Sequence, residues 1–212
     1  MVFAPHPDDE ILGCGGAMTG HIENGDQVTV VYMTSGDAGG YNISKEKLGS
    51  IREQEAKGSC SILGITDLVF LRNPDGYLEY NQDNMVALIN LIRDRKPEWI
   101  YIPHQHDGHK DHRVTHELVV EAKGRAGGPW FQECQGDPWQ VAMLLAYEVW
   151  TPLQQYSLVV DITPYLDRKL AALNLHQSQL ANFRYDQAIS GLNRYRGIMT
   201  GKGNYCECFQ IL

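Results

Sequence analysis

Five cysteines in 212 residues is an odd number, and no two of them stand as C-x-x-C. That excludes a self-contained disulfide framework and a thiolate zinc finger, and reduced thiols in a cytoplasmic protein are expected. Cys206 and Cys208 alternate, as two side chains on one face of a strand do. Cationic excess is missing as well: lysine and arginine number 18 against 26 aspartates and glutamates, for a net charge of −8. A phosphate-backbone binder carries a basic stripe, so no nucleic-acid partner is expected. No apolar run is long enough to span a bilayer and no charged-then-apolar leader opens the chain, so no membrane anchor is expected. Repeats, low-complexity tracts and linker-like runs are absent, which leaves one domain over 1–212 with length enough for one core. The dinucleotide fingerprint fails too, because Met18 stands where the third glycine after Gly13 and Gly15 is required.

What is present begins at once. Ala4-Pro5-His6-Pro7-Asp8-Asp9-Glu10 packs one imidazole and three carboxylates into five residues beside apolar Val2 and Phe3. Buried unpaired, such charges are costly, and a divalent cation would meet them. His6 and Asp9 can converge on one ion if the chain turns between them, and Pro7 both fixes its own φ and pushes His6 toward extended geometry. Asp8 is then left over, placed to take a proton from an activated water. Helix N-capping accounts for the two aspartates equally well, but it leaves His6 unexplained.

In chain order, Met1 to Ala4 reads as the end of a buried strand whose brevity leaves room for a few residues ahead of Met1. Asp9 to about Glu23 reads as a helix with Ile11, Leu12, Met18 and Ile22 on its apolar side. Each glycine in that helix costs about 1 kcal/mol of propensity, so its backbone is expected to lie close against a strand or a ligand. Gln27 to Met33 is a nearly continuous apolar run, typical of a strand covered on both faces. Strand, helix, strand implies a right-handed parallel crossover. The Ser35–Gly40 loop then falls at a carboxyl strand end, where open α/β sheets place ligands. Ser44 is a fair N-cap for a helix to about Leu63, with Arg52 in its first half. Leu68–Leu71 is a third strand, and Asp75 in the turn after it is either turn chemistry or a contact for a substrate hydroxyl. A helix over Asn81–Arg95 and a strand over Trp99–Ile102 follow. Beyond them come a helix over Val114–Ala122, an aromatic loop to Gly136, and strands at Val141–Val149 and Tyr156–Val160. A helix from about Pro164 to Gln179 carries His176, and the tail from Tyr195 reads as a loop and a closing strand.

Between the fourth strand and its helix, Pro103-His104-Gln105-His106-Asp107-Gly108-His109-Lys110-Asp111-His112 holds four of the eight histidines. Such a run with two aspartates at a strand end signals metal or acid–base chemistry, against the plainer reading of a solvated polar loop. His109 and His112 are three apart and share one face of a helical turn.

Together, Pro5-His6-Pro7-Asp8-Asp9-Glu10 and His109-Lys110-Asp111-His112 resemble the LmbE-like, or PIG-L, family of zinc-dependent N-deacetylases, known for PHPDDE or AHPDDE and HxDH motifs on a Rossmann-like fold. Arg52, Pro74-Asp75-Gly76, Tyr147-Glu148-Val149-Trp150-Thr151-Pro152 and His176-x-Ser178-Gln179 extend the resemblance over most of the chain. It implies a Rossmann-like α/β domain with a mostly parallel sheet and one zinc per chain held by His6, Asp9 and His112, iron being the alternative metal. It further implies Asp8 as general base, His109 as the imidazolium that stabilises the oxyanion or protonates the amine, and Asp111 as the group holding His109 charged. Arg52, Asp75 and His176 are the implied substrate contacts, and Trp130, Phe131 and Trp139 a candidate stacking wall for sugar. The implied substrate is a small conjugate of N-acetylglucosamine, cleaved to free amine and acetate, and a homo-oligomer is compatible with the family. Two alternatives are an amidase acting on a thiol-conjugate amide and a non-catalytic module that binds a sugar or nucleotide.

Overall fold

Residues 29–34, Thr-Val-Val-Tyr-Met-Thr, are β-branched or bulky at almost every position and buried on both faces. A strand of that kind belongs in the middle of a covered sheet. In the computed structural model, which describes residues 1–212, it is β2 (Thr29–Thr34), flanked by β1 (Val2–Ala4) and β3 (Asp67–Asn73). The remaining strands are β4 (Trp99–Pro103), β5 (Met143–Tyr147), β6 (Leu158–Asp161) and β7 (Cys206–Ile211), and the spatial order is 3-2-1-4-5-7-6. β1 to β5 pair in parallel, while β7 runs antiparallel to both β5 and β6. Helices α1 (Asp9–Glu23), α2 (Lys45–Leu63), α3 (Gln82–Arg95) and α4 (Lys110–Ala126) connect the parallel strands, and α5 (Leu166–Leu173), α6 (Gln177–Leu180) and α7 (Tyr185–Thr200) complete the chain.

Side-chain alternation splits the core into two layers. Val2, Ala4, Val30, Tyr32, Leu145 and Tyr147 face α1, α2, α5 and α7. Phe3, Val31, Met33, Ile100, Ile102 and Ala146 face α3 and α4. Between β1 and β4 the order reverses, since the chain leaves β1 for β2 on one side and later reaches β4 on the other. Carboxyl strand ends diverge there and leave a crevice.

The glycines of α1 do allow the expected close approach. A Cβ on Gly13 would stand 2.2 Å from the Tyr147 ring of β5, and one on Gly16 would stand 2.4 Å from Ile162. α1 is also kinked, with Cys14 at φ −145°. The interrupted backbone groups are satisfied from far away in sequence. Gly16 N and Ala17 N donate to the two carboxylate oxygens of Glu207 at 2.8 Å, and Leu12 O accepts from Lys169 Nζ at 2.9 Å.

Three expectations need correction. α4 begins at Lys110, four residues before Val114, because the His109 side chain accepts from Asp111 N and caps the helix from within the motif. The helix expected over Pro164–Gln179 is a 3-10 turn (Thr163–Tyr165) followed by α5 and α6, divided where the chain bends at Asn174 to His176 to bury that histidine. Residues 195–200, expected as loop, belong to α7; Gly191 and Gly197 weaken its local signal, but Gly197 is where the helix meets the Gly203 and Asn204 backbone.

Candidate active site

Pro5 and Pro7 bracket His6 at the end of β1, and the chain turns so tightly that Asp8 adopts φ 128°, a region non-glycine residues rarely occupy. Strain of that kind costs about 1–3 kcal/mol and persists only when neighbours enforce it. Glu10 Oε2 accepts from Asp8 N at 3.1 Å, while Glu10 Oε1 accepts from the Tyr32 hydroxyl at 2.7 Å. Arg52 Nη2 donates to Pro7 O at 2.6 Å and stands 3.2 Å from Asp8 Oδ2.

The turn presents Asp9 to two imidazoles. Its Oδ2 lies 3.0 Å from His6 Nδ1 and 3.1 Å from His112 Nε2, the latter rising from the first turn of α4. Each ring shows its other nitrogen to a further carboxylate. His6 Nε2 is 3.2 Å from both Asp75 and Asp111, and His112 Nδ1 is 3.4 Å from Asp107. Outer carboxylates that orient ligating imidazoles are a regular feature of metal sites. His109 is half-buried with its ring centroid 4.7 Å from that of His6, and ring nitrogens of His6, His109 and His112 come within 4.8 Å of one another.

Charge balance and satisfaction both fit a cation. Asp8, Asp9, Asp75, Asp107 and Asp111 are all buried, and the one guanidinium among them is Arg52. Asp9 Oδ1 and both nitrogens of His112 are buried without a hydrogen-bond partner. Ligand atoms around a tetrahedral zinc stand roughly 3.3 Å apart, given metal–ligand bonds near 2.0–2.1 Å, and the two separations from Asp9 Oδ2, 3.0 Å to His6 Nδ1 and 3.1 Å to His112 Nε2, are close to that. These three residues suit a divalent metal, with imidazole and carboxylate donors typical of zinc or iron.

The electrostatics follow from burial and neighbours. Burial pushes the Asp8 carboxyl up to about 7, with Arg52 opposing and Asp9 reinforcing. Burial acts on Asp9 in the same direction but is outweighed by the His112 and His6 imidazoles, which hold its carboxyl below the usual range. His109 is lowered by burial and by the other two rings.

Several residues fall differently from expectation. The Asp111 carboxylate does not reach His109. It lies against His6 and accepts from Gly76 N and Leu78 N, and only its backbone N–H meets His109 Nδ1. A nitrogen that accepts carries no proton, so with this partner His109 is neutral and its proton sits on Nε2. Asp75 joins His6 from the turn after β3, with Oδ2 accepting from Ala38 N. His176 is fully buried with both ring nitrogens unpartnered, and burial together with Arg52 lowers it to about 3. Trp130, Phe131 and Trp139 pack away from the site, toward the amino ends of the strands and the C-terminal parts of α3 and α4, where Arg93 donates to Trp130 O. Helices of parallel crossovers end there, and Trp139 donates to Pro97 O just before β4 while Arg125 covers the Phe131 ring. Of the other histidines in the run, His104 holds the loop, with Nε2 at Thr151 O and Nδ1 accepting from the His106 backbone N–H. Asp107, one of the two aspartates of that run, takes a role that its sequence position does not assign. Its Oδ1 faces His112 and accepts from His109 N, and its Oδ2 accepts from Trp150 N and Thr151 N.

The profile of the family described as PIG-L: GlcNAc-PI de-N-acetylase matches residues 1–123. The chain belongs to this family. It is 30% identical to the diacetylchitobiose deacetylase of Thermococcus kodakarensis over 188 residues, 84% of this chain and 69% of that protein. Identity to the probable N-acetyl-alpha-D-glucosaminyl L-malate deacetylase 2 of Bacillus cereus is 31% over 188 residues, 84% and 82% of the two chains. Among solved structures, the N,N'-diacetylchitobiose deacetylase from Pyrococcus horikoshii in complex with its inhibitor MPG superposes with a TM-score of 0.90 at 25% identity, over 100% of this PIG-L chain and 82% of that one. No helix of the protein is long and apolar enough to cross a membrane.

Proposed function

We propose that this PIG-L family protein is a metal-dependent hydrolase that removes the acetyl group from the nitrogen of a small N-acetylglucosamine conjugate, with residues 1–212 acting as one catalytic unit. The observation that carries the reading is the Asp9 carboxylate seated between the His6 and His112 imidazoles, with the strained Asp8 alongside. Deacetylase relatives that act on such amino sugars support the substrate class.

His6, Asp9 and His112 would hold the metal, zinc by preference on their donor set. The cation, when bound, supplies the positive charge that acidifies a water and polarises the amide carbonyl. Asp8 takes the proton as the water oxygen adds to the carbonyl carbon, and Arg52 holds that carboxylate in place. The proton then passes from Asp8 to the amide nitrogen as the C–N bond breaks, leaving acetate and the free amine. His109, with Nδ1 occupied by the Asp111 N–H, donates from Nε2 to the carbonyl oxygen as it gains charge. Asp107 and Asp111 orient the imidazoles of His112 and His6.

Elemental analysis of purified protein, with detection of amine released from N-acetylglucosamine and its conjugates in the same sample, tests this. About one zinc per chain and chelator-sensitive amine release are expected. No bound metal, and no release after addition of zinc or iron, would leave a binding module on a hydrolase fold.

A further inference from the structure

Asp8 stands at the N-cap of α1, yet its side chain accepts from none of the first-turn amides and is turned toward Arg52 instead. An aspartate at that position ordinarily takes extended backbone and gives its carboxylate to the helix. The φ of 128° is what frees the carboxylate, so the groups that enforce that angle also aim it. Three sets of contacts hold the residue. Ile11 N and Leu12 N donate to Asp8 O at 3.0 and 2.9 Å, Arg52 Nη2 donates to Pro7 O at 2.6 Å, and Glu10 Oε2 accepts from Asp8 N at 3.1 Å. The first is ordinary helix bonding, and the second comes from the guanidinium already paired with Asp8. The third is a fully buried carboxylate whose partners are an amide and a phenol rather than a cation, a costly group to place in a core for packing alone.

Glu10 is itself fixed. Its Oε1 accepts from the Tyr32 hydroxyl at 2.7 Å, that hydroxyl is 3.2 Å from Cys60 Sγ, and the Tyr32 ring stacks on Phe70 with centroids 4.8 Å apart. Tyr32 lies in β2, Phe70 in β3 and Cys60 in α2, the helix that also carries Arg52. Through Glu10 the turn after β1 is therefore tied to two strands and a helix. Both Glu10 oxygens are engaged in this way, and the carboxylate is not one of the groups around His6, His109 and His112.

We infer that Glu10, anchored by Tyr32, is a positioning residue for the reaction: it holds the Asp8 backbone at positive φ and so keeps the base aimed at the water, touching neither metal nor substrate. This rests on the deacetylase reading of the site.

The test uses the zinc-loaded protein and whichever of N-acetylglucosamine, diacetylchitobiose and the malate conjugate it cleaves fastest. Glu10→Ala should lower kcat by about 10–100-fold, as a misplaced catalytic group does, with KM and zinc content unchanged. Glu10→Gln keeps an oxygen for Asp8 N and an amide for the Tyr32 hydroxyl, and should restore most of kcat. Tyr32→Phe removes the anchor and leaves the Asp8 contact, so its kcat should fall between those of Glu10→Ala and the wild type. Lys169→Met, in a buried cluster that makes no contact with Asp8, should lose stability with kcat unchanged. A Glu10→Ala variant with wild-type kcat, one whose loss lies in KM or zinc content, or an equal fall of kcat in Lys169→Met would overturn the inference. If the wild type turns over no substrate, the deacetylase reading fails and hydrogen exchange at the Asp8 amide decides the positioning alone. Protection kept in Glu10→Gln and lost in Glu10→Ala would support it, and equal exchange in all three proteins would overturn it. Should Glu10→Ala not fold, Tyr32→Phe decides on the same readouts.

Discussion

Two buried polar clusters lie on neighbouring parts of the sheet and differ in one respect. In the first, Lys169 Nζ donates to Leu12 O, Asn193 Oδ1 and Glu207 Oε1, both Glu207 oxygens are used, and Asn193 Nδ2 reaches Cys206 O. No side-chain atom of these three residues lacks a partner. In the second, around Asp9 and His112, three buried atoms have none. Both hold ionised groups away from water, so burial of charge does not by itself mark a functional site. The complete cluster repairs a helix kink, and the other keeps donor atoms available to a cation.

The largest expected effect breaks the complete cluster. Lys169→Met leaves Glu207 unpaired in the interior and should lower stability by about 3–5 kcal/mol, seen as a reduced denaturant midpoint whether or not metal is present. A loss below about 1 kcal/mol would mean that the network contributes little beyond packing.

Asp8→Asn acts on the incomplete cluster and should behave in the opposite way. Its kcat should fall by about 10²–10⁴, with metal content and fold unchanged. Near-normal turnover would remove Asp8 as the base.

Metal removal sharpens the contrast. At free metal about 100 times its Kd, a ligand that binds only the folded state adds about 2.7 kcal/mol, worth roughly 5–10 °C for a chain of this size. A chelator should lower the melting temperature of the wild type by that amount and leave His112→Ala unaffected. Equal shifts in both proteins would place the metal elsewhere.

The smallest effect belongs to a charge pair with no burial to strengthen it. Arg95 and Thr29 hold the exposed Asp67 carboxyl below its ordinary range. Because the folded-state value is depressed, the pair stabilises the fold above the unfolded carboxylate's titration and loses that contribution as pH falls through the folded value. Screening keeps it under about 1 kcal/mol, so Asp67→Asn should match the wild type in the acid limb and fall slightly below it at neutral pH. A difference that grew toward low pH would contradict the pairing.

How much of this was legible depended on separation along the chain. Local alternation of apolar runs and glycine-marked turns laid out the five parallel strands and their helices. The two acidic-histidine motifs announced the site because each is contiguous. α7 was harder to see, since Gly191 and Gly197 dilute its pattern and only contact with the Asn204 backbone explains the second of them. Lys169 and Glu207 look like ordinary solvated charges in an amphipathic helix and a closing strand. Their partner is a kink more than 150 residues away in sequence.

The parallel α/β plan, the chemistry available at the ends of β1 and β4, and the family can be read from the amino-acid order, because they rest on periodicity and on residues adjacent in the chain. Tertiary structure alone decided which group each side chain serves. It turned Asp111 from His109 to His6, enlisted Asp107 behind His112, set Trp150 rather than Trp130 beside the His112 ring, and divided buried polar groups into a network in which every atom is partnered and one with donor atoms to spare. Those choices depend on which carboxyl strand ends meet at the switch between β1 and β4, and a one-dimensional pattern holds no record of that distance.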